Sequence, residues 1–164
     1  MTINKPYLLF LGDAPDQLAA KTADGVAHWR PAECVGQLRL DGCRADLGLP
    51  DLTLPQAVER GAKTLIVGVA NRGGHFSPLW VEILEQSLEL GLDIASGLHE
   101  RLTDIPGLAD LAEKQGRKLF EVALLGPVAS AGEQFGWQWP RNLAQGSWPA
   151  LVGQLAHGFV GEAA

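Results

Sequence analysis

Thr64-Leu65-Ile66-Val67-Gly68-Val69 is a continuous apolar, largely β-branched run, the pattern of a strand whose two faces are both covered. Such a strand belongs near the middle of a parallel sheet, and parallel neighbours need crossover segments between them. The flanks supply them. Upstream, Thr53-Leu54-Pro55-Gln56 has the spacing of a capping box and Gly61 a stop, which predicts a short helix. Downstream, Ser77-Pro78 offers an N-cap and a first-turn proline. Trp80, Ile83, Leu84 and Leu88 then form an apolar stripe opposite Glu82, Glu85, Gln86 and Glu89, closed by Gly91.

The same alternation extends to both ends. Tyr7-Leu8-Leu9-Phe10-Leu11 reads as a buried strand stopped by Gly12-Asp13-Ala14-Pro15, followed by a helix over 16–26. Cys34 to Leu40 reads as a weaker strand and Leu92 to Ala95 as another. A helix over 104–115 ends at Gly116, and Lys118 to Val122 is a last strand. Strand and helix in turn imply an α/β, Rossmann-like three-layer domain with a mostly parallel sheet, occupying residues 1–122. Ligands of such sheets bind beyond the carboxyl ends of the strands, so the informative loops are 12–16, 70–77 and 96–100.

Composition narrows the function. The chain has 164 residues, 46% apolar and 20% charged, with a net charge of −6. That balance, without a polybasic run, excludes a general nucleic-acid binder. No apolar run near the start is long enough for an export signal or a membrane span, so a cytoplasmic protein is expected. Cys34 and Cys43 are then expected to be reduced, half-buried thiols. Residues 123–164 differ from the rest: they contain three of the five tryptophans, Trp137, Trp139 and Trp148, and three charged side chains, Glu133, Arg141 and Glu162. This stretch reads as a contact between copies of the chain, making a homo-oligomer, or as an out-of-frame reading of a linker.

Three loops carry candidate ligand-binding residues. Gly12-Asp13 stands where a dinucleotide-binding protein has its glycine-rich phosphate loop, yet no G-x-G-x-x-G is present. A carboxylate there suits a cation, an amine or a hydroxyl, or else simply the positive end of the next helix. Asn71, Arg72, Gly73, Gly74 and His75 bring an amide, a guanidinium, two glycines and an imidazole together after the central strand. They read as a carboxylate or phosphate cradle with His75 as proton carrier, or as a plain turn. His99 follows the next strand and is expected to face the same crevice. The spacing of these residues enforces no metal site, and no Ser or Cys sits in a nucleophile-elbow pattern.

These residues also carry a resemblance. Pro6 to Asp13, Leu18 to Ala23, Trp29-Arg30-Pro31, Gly36 to Leu40, Ala45 to Pro50, Gly68 to Gly74 and Ala95 to His99 recur in order and resemble the N-terminal half of the D-glutamate N-acetyltransferase family. The resemblance implies an N-terminal Rossmann-like domain that is followed, in family members, by a larger domain of P-loop NTPase type. It also implies acetyl transfer from acetyl-CoA, as co-substrate rather than bound cofactor, to the amine of D-glutamate or another D-amino acid. The chain contains no G-x-x-x-x-G-K-[ST] or near relative, so the P-loop half is absent and the chain is expected to be inactive alone. In that reading Asp13 or His99 orients the amine, while Arg72 and the Gly73-Gly74 backbone hold a carboxylate. The alternative is a non-catalytic module that binds a small metabolite or dimerises.

Overall fold

The computed structural model describes residues 3–71 and 73–122. Arg72 and the tryptophan-rich stretch 123–164, with the oligomer contact expected of it, lie outside the described residues. Five strands, β1 (Tyr7–Gly12), β2 (Cys34–Arg39), β3 (Thr64–Val67), β4 (Asp93–Ser96) and β5 (Leu119–Glu121), form one sheet in the order β2-β1-β3-β4-β5. Every neighbouring pair is parallel, so the mostly parallel sheet expected from sequence is parallel throughout. α1 (Lys21–Trp29) carries the chain from β1 to β2, and α2 (Leu54–Glu59) brings it back past β1 to β3. α3 (Pro78–Glu89) and α4 (Leu108–Lys114) continue to β4 and β5. Right-handed crossovers put α1 on one face and α2, α3 and α4 on the other, and α3 packs on α4. The direction of the crossovers reverses between β1 and β3, the point at which ligands of such sheets bind beyond the carboxyl ends of the strands.

The core follows from the apolar runs. All six residues of β1 and all four of β3 are buried, and Leu8, Leu9, Phe10, Leu65 and Ile94 are fully inaccessible. Thr53 forms the anticipated capping box, accepting from the Gln56 N–H while its own N–H donates to Gln56 Oε1 at 2.9 Å. Ser77 Oγ accepts from the Trp80 N–H at 3.3 Å and starts α3. Among the described residues no helix is long and apolar enough to cross a membrane.

Two helices begin later than their sequence pattern suggests. The helix expected from residue 16 opens as a 3-10 turn, Leu18–Ala20, before α1 proper. The cause is an exchange of backbone partners. In a continuous α-helix the Ala23 N–H would reach the Ala19 carbonyl. Here it donates to the Gly68 carbonyl at 3.1 Å, and the Ala19 carbonyl accepts from the Ala70 N–H at 2.7 Å. The loop leaving β3 is thus woven into the start of α1. A Cβ on Gly68 would lie 2.3 Å from the Ala23 Cβ and 2.8 Å from its Cα, so only glycine admits this approach. The helix expected from residue 104 begins at Leu108, because Ile105 is extended ahead of Pro106 and Gly107 takes φ +80°.

The loop after β2 hangs on one buried amide. Gln37 is 1% exposed. Its Nε2 donates to Asp46 Oδ1 at 2.9 Å and Asp51 Oδ1 at 3.0 Å, while its Oε1 accepts from the Leu47 N–H at 2.8 Å. Arg39 forks onto both Asp51 oxygens and stands 3.6 Å from Asp46. Cys34 and Cys43 are free and half-buried as expected, and burial pushes the Cys34 thiol up to about 11.

Two measurements test this account. Gly68→Ala is expected to lower stability by about 3 kcal/mol, as overpacking against backbone does, read as a lower urea midpoint at unchanged slope. The second concerns acid. The Arg39 hydrogen bond, helped by Gln37, holds the Asp51 carboxyl below its ordinary range, and Gln37 with the Gly48 N–H does the same for Asp46. A carboxylate whose folded pKa is depressed stabilises above its unfolded pKa, and that stabilisation is lost as pH falls through the folded one. Asp51→Asn is therefore expected to unfold at lower urea than the parent at pH 6, with the gap narrowing below about pH 4.

Candidate functional site at the carboxyl edge

The carboxyl edge is formed by the loops after β1, β3 and β4. β1 ends at Gly12, whose φ of +53° turns the chain sharply. The Trp80 ring from the first turn of α3 lies over it: a Cβ on Gly12 would be 2.8 Å from the indole carbons. Trp80 is 2% exposed, meets the Phe10 ring edge-on with centroids 5.6 Å apart, and donates from Nε1 to Asp13 Oδ1 at 3.0 Å. Such perpendicular aromatic contacts stabilise beyond simple burial. Asp13 is exposed but oriented, its carboxylate fixed beside the first turn of α3. At the start of the following turn Asp16 Oδ1 accepts from the Ala19 N–H at 2.9 Å. An indole over Gly12 and a carboxylate at the helix start leave this loop unlike a phosphate cradle.

The loops after β3 and β4 form a clasp. Asn71 Nδ2 donates to the His75 carbonyl at 2.6 Å, and the Gly74 N–H donates to the Asn71 carbonyl at 3.2 Å. Gly73 and Gly74 take φ of +96° and +67°, which L side chains rarely adopt. A Cβ on Gly74 would lie 2.9 Å from His99 Cδ2 and 3.1 Å from the His99 backbone nitrogen, so the glycine lets the two loops touch. Glu100 stitches them together: its N–H donates to the Gly74 carbonyl at 3.0 Å, and its Oε2 accepts from the Phe76 N–H at 2.6 Å. The same Oε2 stands 3.5 Å from His75 Nδ1.

The sequence-derived residues are therefore arranged unequally. Asn71, Gly73, Gly74, His75 and His99 come together in one clasp, Asp13 is tied instead to Trp80, and Arg72 lies outside the described residues. The Gly74 N–H closes a turn within the loop, which leaves the imidazoles as the groups presented outward. The His75 side chain is 74% exposed. Its Nδ1 is the ring nitrogen nearer the Glu100 carboxylate. Sequence reasoning passed over Glu100 and Trp80 as site residues. Glu100 adjoins His99, and that adjacency was the available signal; Trp80 read only as part of a core stripe. Among the described residues no three His, Cys, Asp or Glu side chains gather as metal ligands. An open apolar hollow of about 430 Å3 lies between α2 and α3, lined by Leu38, Leu54, Pro55, Ile83 and Leu90 among others. None of its lining residues belongs to the clasp.

Comparison with known proteins follows the geometry. The model of a domain of unknown function described as a Rossmann-like domain, DUF1611_N, matches residues 38–125. A D-glutamate N-acetyltransferase of Tritonibacter scottomollicae is 58% identical over 120 residues, covering 73% of this chain and 36% of that protein. Another, from a Pseudoalteromonas species, is 37% identical over 147 residues, covering 90% of this chain and 44% of that protein. The chain thus spans about two fifths of the length of the curated relatives it matches. A crystal structure of a DUF1611 family protein from Anabaena variabilis has the same fold, with a TM-score of 0.58 and 23% identity over 79% of this chain and 41% of that one.

The clasp makes a local prediction. Glu100→Ala removes a charged acceptor, a loss of about 1.5–3 kcal/mol. Amide exchange at Phe76 is then expected to quicken about tenfold or more, while Glu100→Gln, which keeps an acceptor oxygen, stays near the parent rate.

Proposed function

We propose a function for this chain from one premise: it belongs to the DUF1611_N Rossmann-like domain family. The chain is the amino-acid-binding part of an N-acetyltransferase that acts on D-glutamate or a related D-amino acid, with acetyl-CoA as co-substrate. The observation that carries this reading is the 58% identity over 120 residues with a D-glutamate N-acetyltransferase. The clasp at the carboxyl edge, where ligands of such sheets bind, supports it.

The chemistry assigns roles. Acetyl transfer joins the amine nitrogen to the thioester carbonyl carbon, breaks the C–S bond and releases a thiolate. The ammonium must first lose a proton, and after the attack the nitrogen gives up a second one, which the departing thiolate takes. His75, with Glu100 behind its Nδ1, takes the first proton on Nε2. His99, packed on Gly74, and Asp13, fixed by Trp80, line the amine side. Arg72, between Asn71 and Gly73 in the sequence, supplies the cation for a substrate carboxylate. A small zwitterionic ligand fits a chain of net charge −6 better than nucleic acid does.

The chain covers 36–44% of its relatives' length, and the 164 residues alone are expected not to acetylate. Two-dimensional NMR of the 164-residue chain titrated with D-glutamate tests the site. The signals of Gly73, Gly74, His75 and His99 are expected to shift together. Shifts elsewhere, or none at millimolar ligand, would remove the clasp as the binding site. Adding acetyl-CoA is expected to yield no N-acetyl-D-glutamate, and formation of that product would overturn the inactivity of the isolated chain.

A further inference from the structure

We propose that Arg101 is the specificity-determining residue of the clasp: it holds the second carboxylate of an acidic amino acid and so separates D-glutamate from analogues with an uncharged side chain. The assignment deepens the functional reading above and rests on it.

D-glutamate carries one ammonium and two carboxylates, so a site that selects it over D-glutamine needs a cation for each acid. The loops after β3 and β4, residues 68–77 and 97–107, contain two side chains with a permanent positive charge, Arg72 and Arg101. Arg72 is assigned above to one carboxylate, which leaves the other to Arg101. A guanidinium suits this task, because its planar fork matches a carboxylate with two parallel hydrogen bonds.

The backbone places Arg101 at the clasp. The Glu100 N–H on the Gly74 carbonyl, at 3.0 Å, lays residue 100 alongside the glycine loop, and Arg101 is the next residue. Beyond it Leu102 is fully buried. The Arg101 carbonyl accepts from the Asp104 N–H at 3.1 Å, and the Thr103 N–H donates to Glu121 Oε1 at 3.3 Å. The backbone of Arg101 is thus held on both sides, by a bonded clasp residue and by a buried leucine, while the residue itself is exposed. With the backbone already fixed, only the side chain has to be ordered when a ligand binds.

The charge of Arg101 is uncommitted. Two acids of its neighbourhood are engaged elsewhere: Glu100 Oε2 accepts from the Phe76 N–H and stands by His75, and Glu121 accepts from the Thr103 N–H. Among the described residues Arg101 makes no ion pair and no side-chain hydrogen bond, with Asp104 or any other partner. Arg39 is the contrast, with its guanidinium forked onto Asp51. Arg44 is the rival cation at this edge. Its N–H donates to the Ala14 carbonyl at 2.8 Å, which sets it beside the loop after β1, with Asp13 rather than with the clasp.

Two-dimensional NMR titrations of the 164-residue chain with D-glutamate and with D-glutamine test the assignment, with dissociation constants read from the Gly74 and His99 signals. The parent is expected to bind D-glutamate about three- to fivefold more tightly than D-glutamine, the scale of one exposed ion pair, and the preference is expected to shrink as salt is raised. Arg101→Gln is expected to abolish the preference by weakening D-glutamate alone. Arg101→Lys keeps the charge without the fork and is expected to retain part of it, while Arg44→Gln retains all of it. The amide spectrum of each variant reports whether it is folded. No preference in the parent, a preference unchanged in Arg101→Gln, equal weakening of both ligands there, or a preference lost in Arg44→Gln would each overturn the role of Arg101 and leave the clasp as the binding site. If neither amino acid shifts the clasp signals of the parent at millimolar concentration, the functional reading is rejected and the role of Arg101 with it.

Discussion

The arrangement rests on a trade of two backbone hydrogen bonds. Ala19 and Ala23 give up each other and bond instead to Ala70 and Gly68. No bond is lost, so the buried polar groups stay satisfied. The two strands that flank the switch point are thereby locked to one helix start. The loop that leaves β3 is thus tied to the segment that follows β1. Gly68 is the steric condition for this, because any side chain there would overlap Ala23.

A second constraint works above the first. Trp80 bridges the faces of the site by reaching from α3 to Phe10, Gly12 and Asp13. Glu100 bridges its length by joining the loops after β3 and β4 through Gly74, Phe76 and His75. One carboxylate is spent on holding an indole and the other on a backbone amide and an imidazole. Neither acts by bulk charge. Their value lies in fixing orientation.

What the sequence disclosed and what it hid separate by distance along the chain. The strand at Thr64, the capping box at Thr53 and Gln56, and the Ser77-Pro78 start of α3 are local patterns, and each stands where its pattern indicates. The late start of α1 was illegible because its cause lies some fifty residues away, in a strand-end glycine that looked like the continuation of an apolar run. Pro106 and Gly107 fall inside the helix expected over 104–115, and α4 begins just after them, at Leu108. The clasp was half legible. Its residues were marked by type and by position after strands, whereas the pairing of Glu100 with His75 exists only because β3 and β4 are neighbours. Asp13 shows the same limit: its bond to the Trp80 indole joins residues 67 apart in the chain.

The wholly parallel sheet has a consequence in time as well as in space. No two adjacent strands are joined by a hairpin, and β1 meets β3 only after α1, β2 and α2 have been traversed. Each closure of such a loop costs chain entropy before any contact repays it. Folding is therefore governed by non-local pairing rather than by local helix formation, which places this domain among the slower folders of its size. During synthesis the first strand must wait, unpaired on its inner side, until residues 64–67 have left the ribosome.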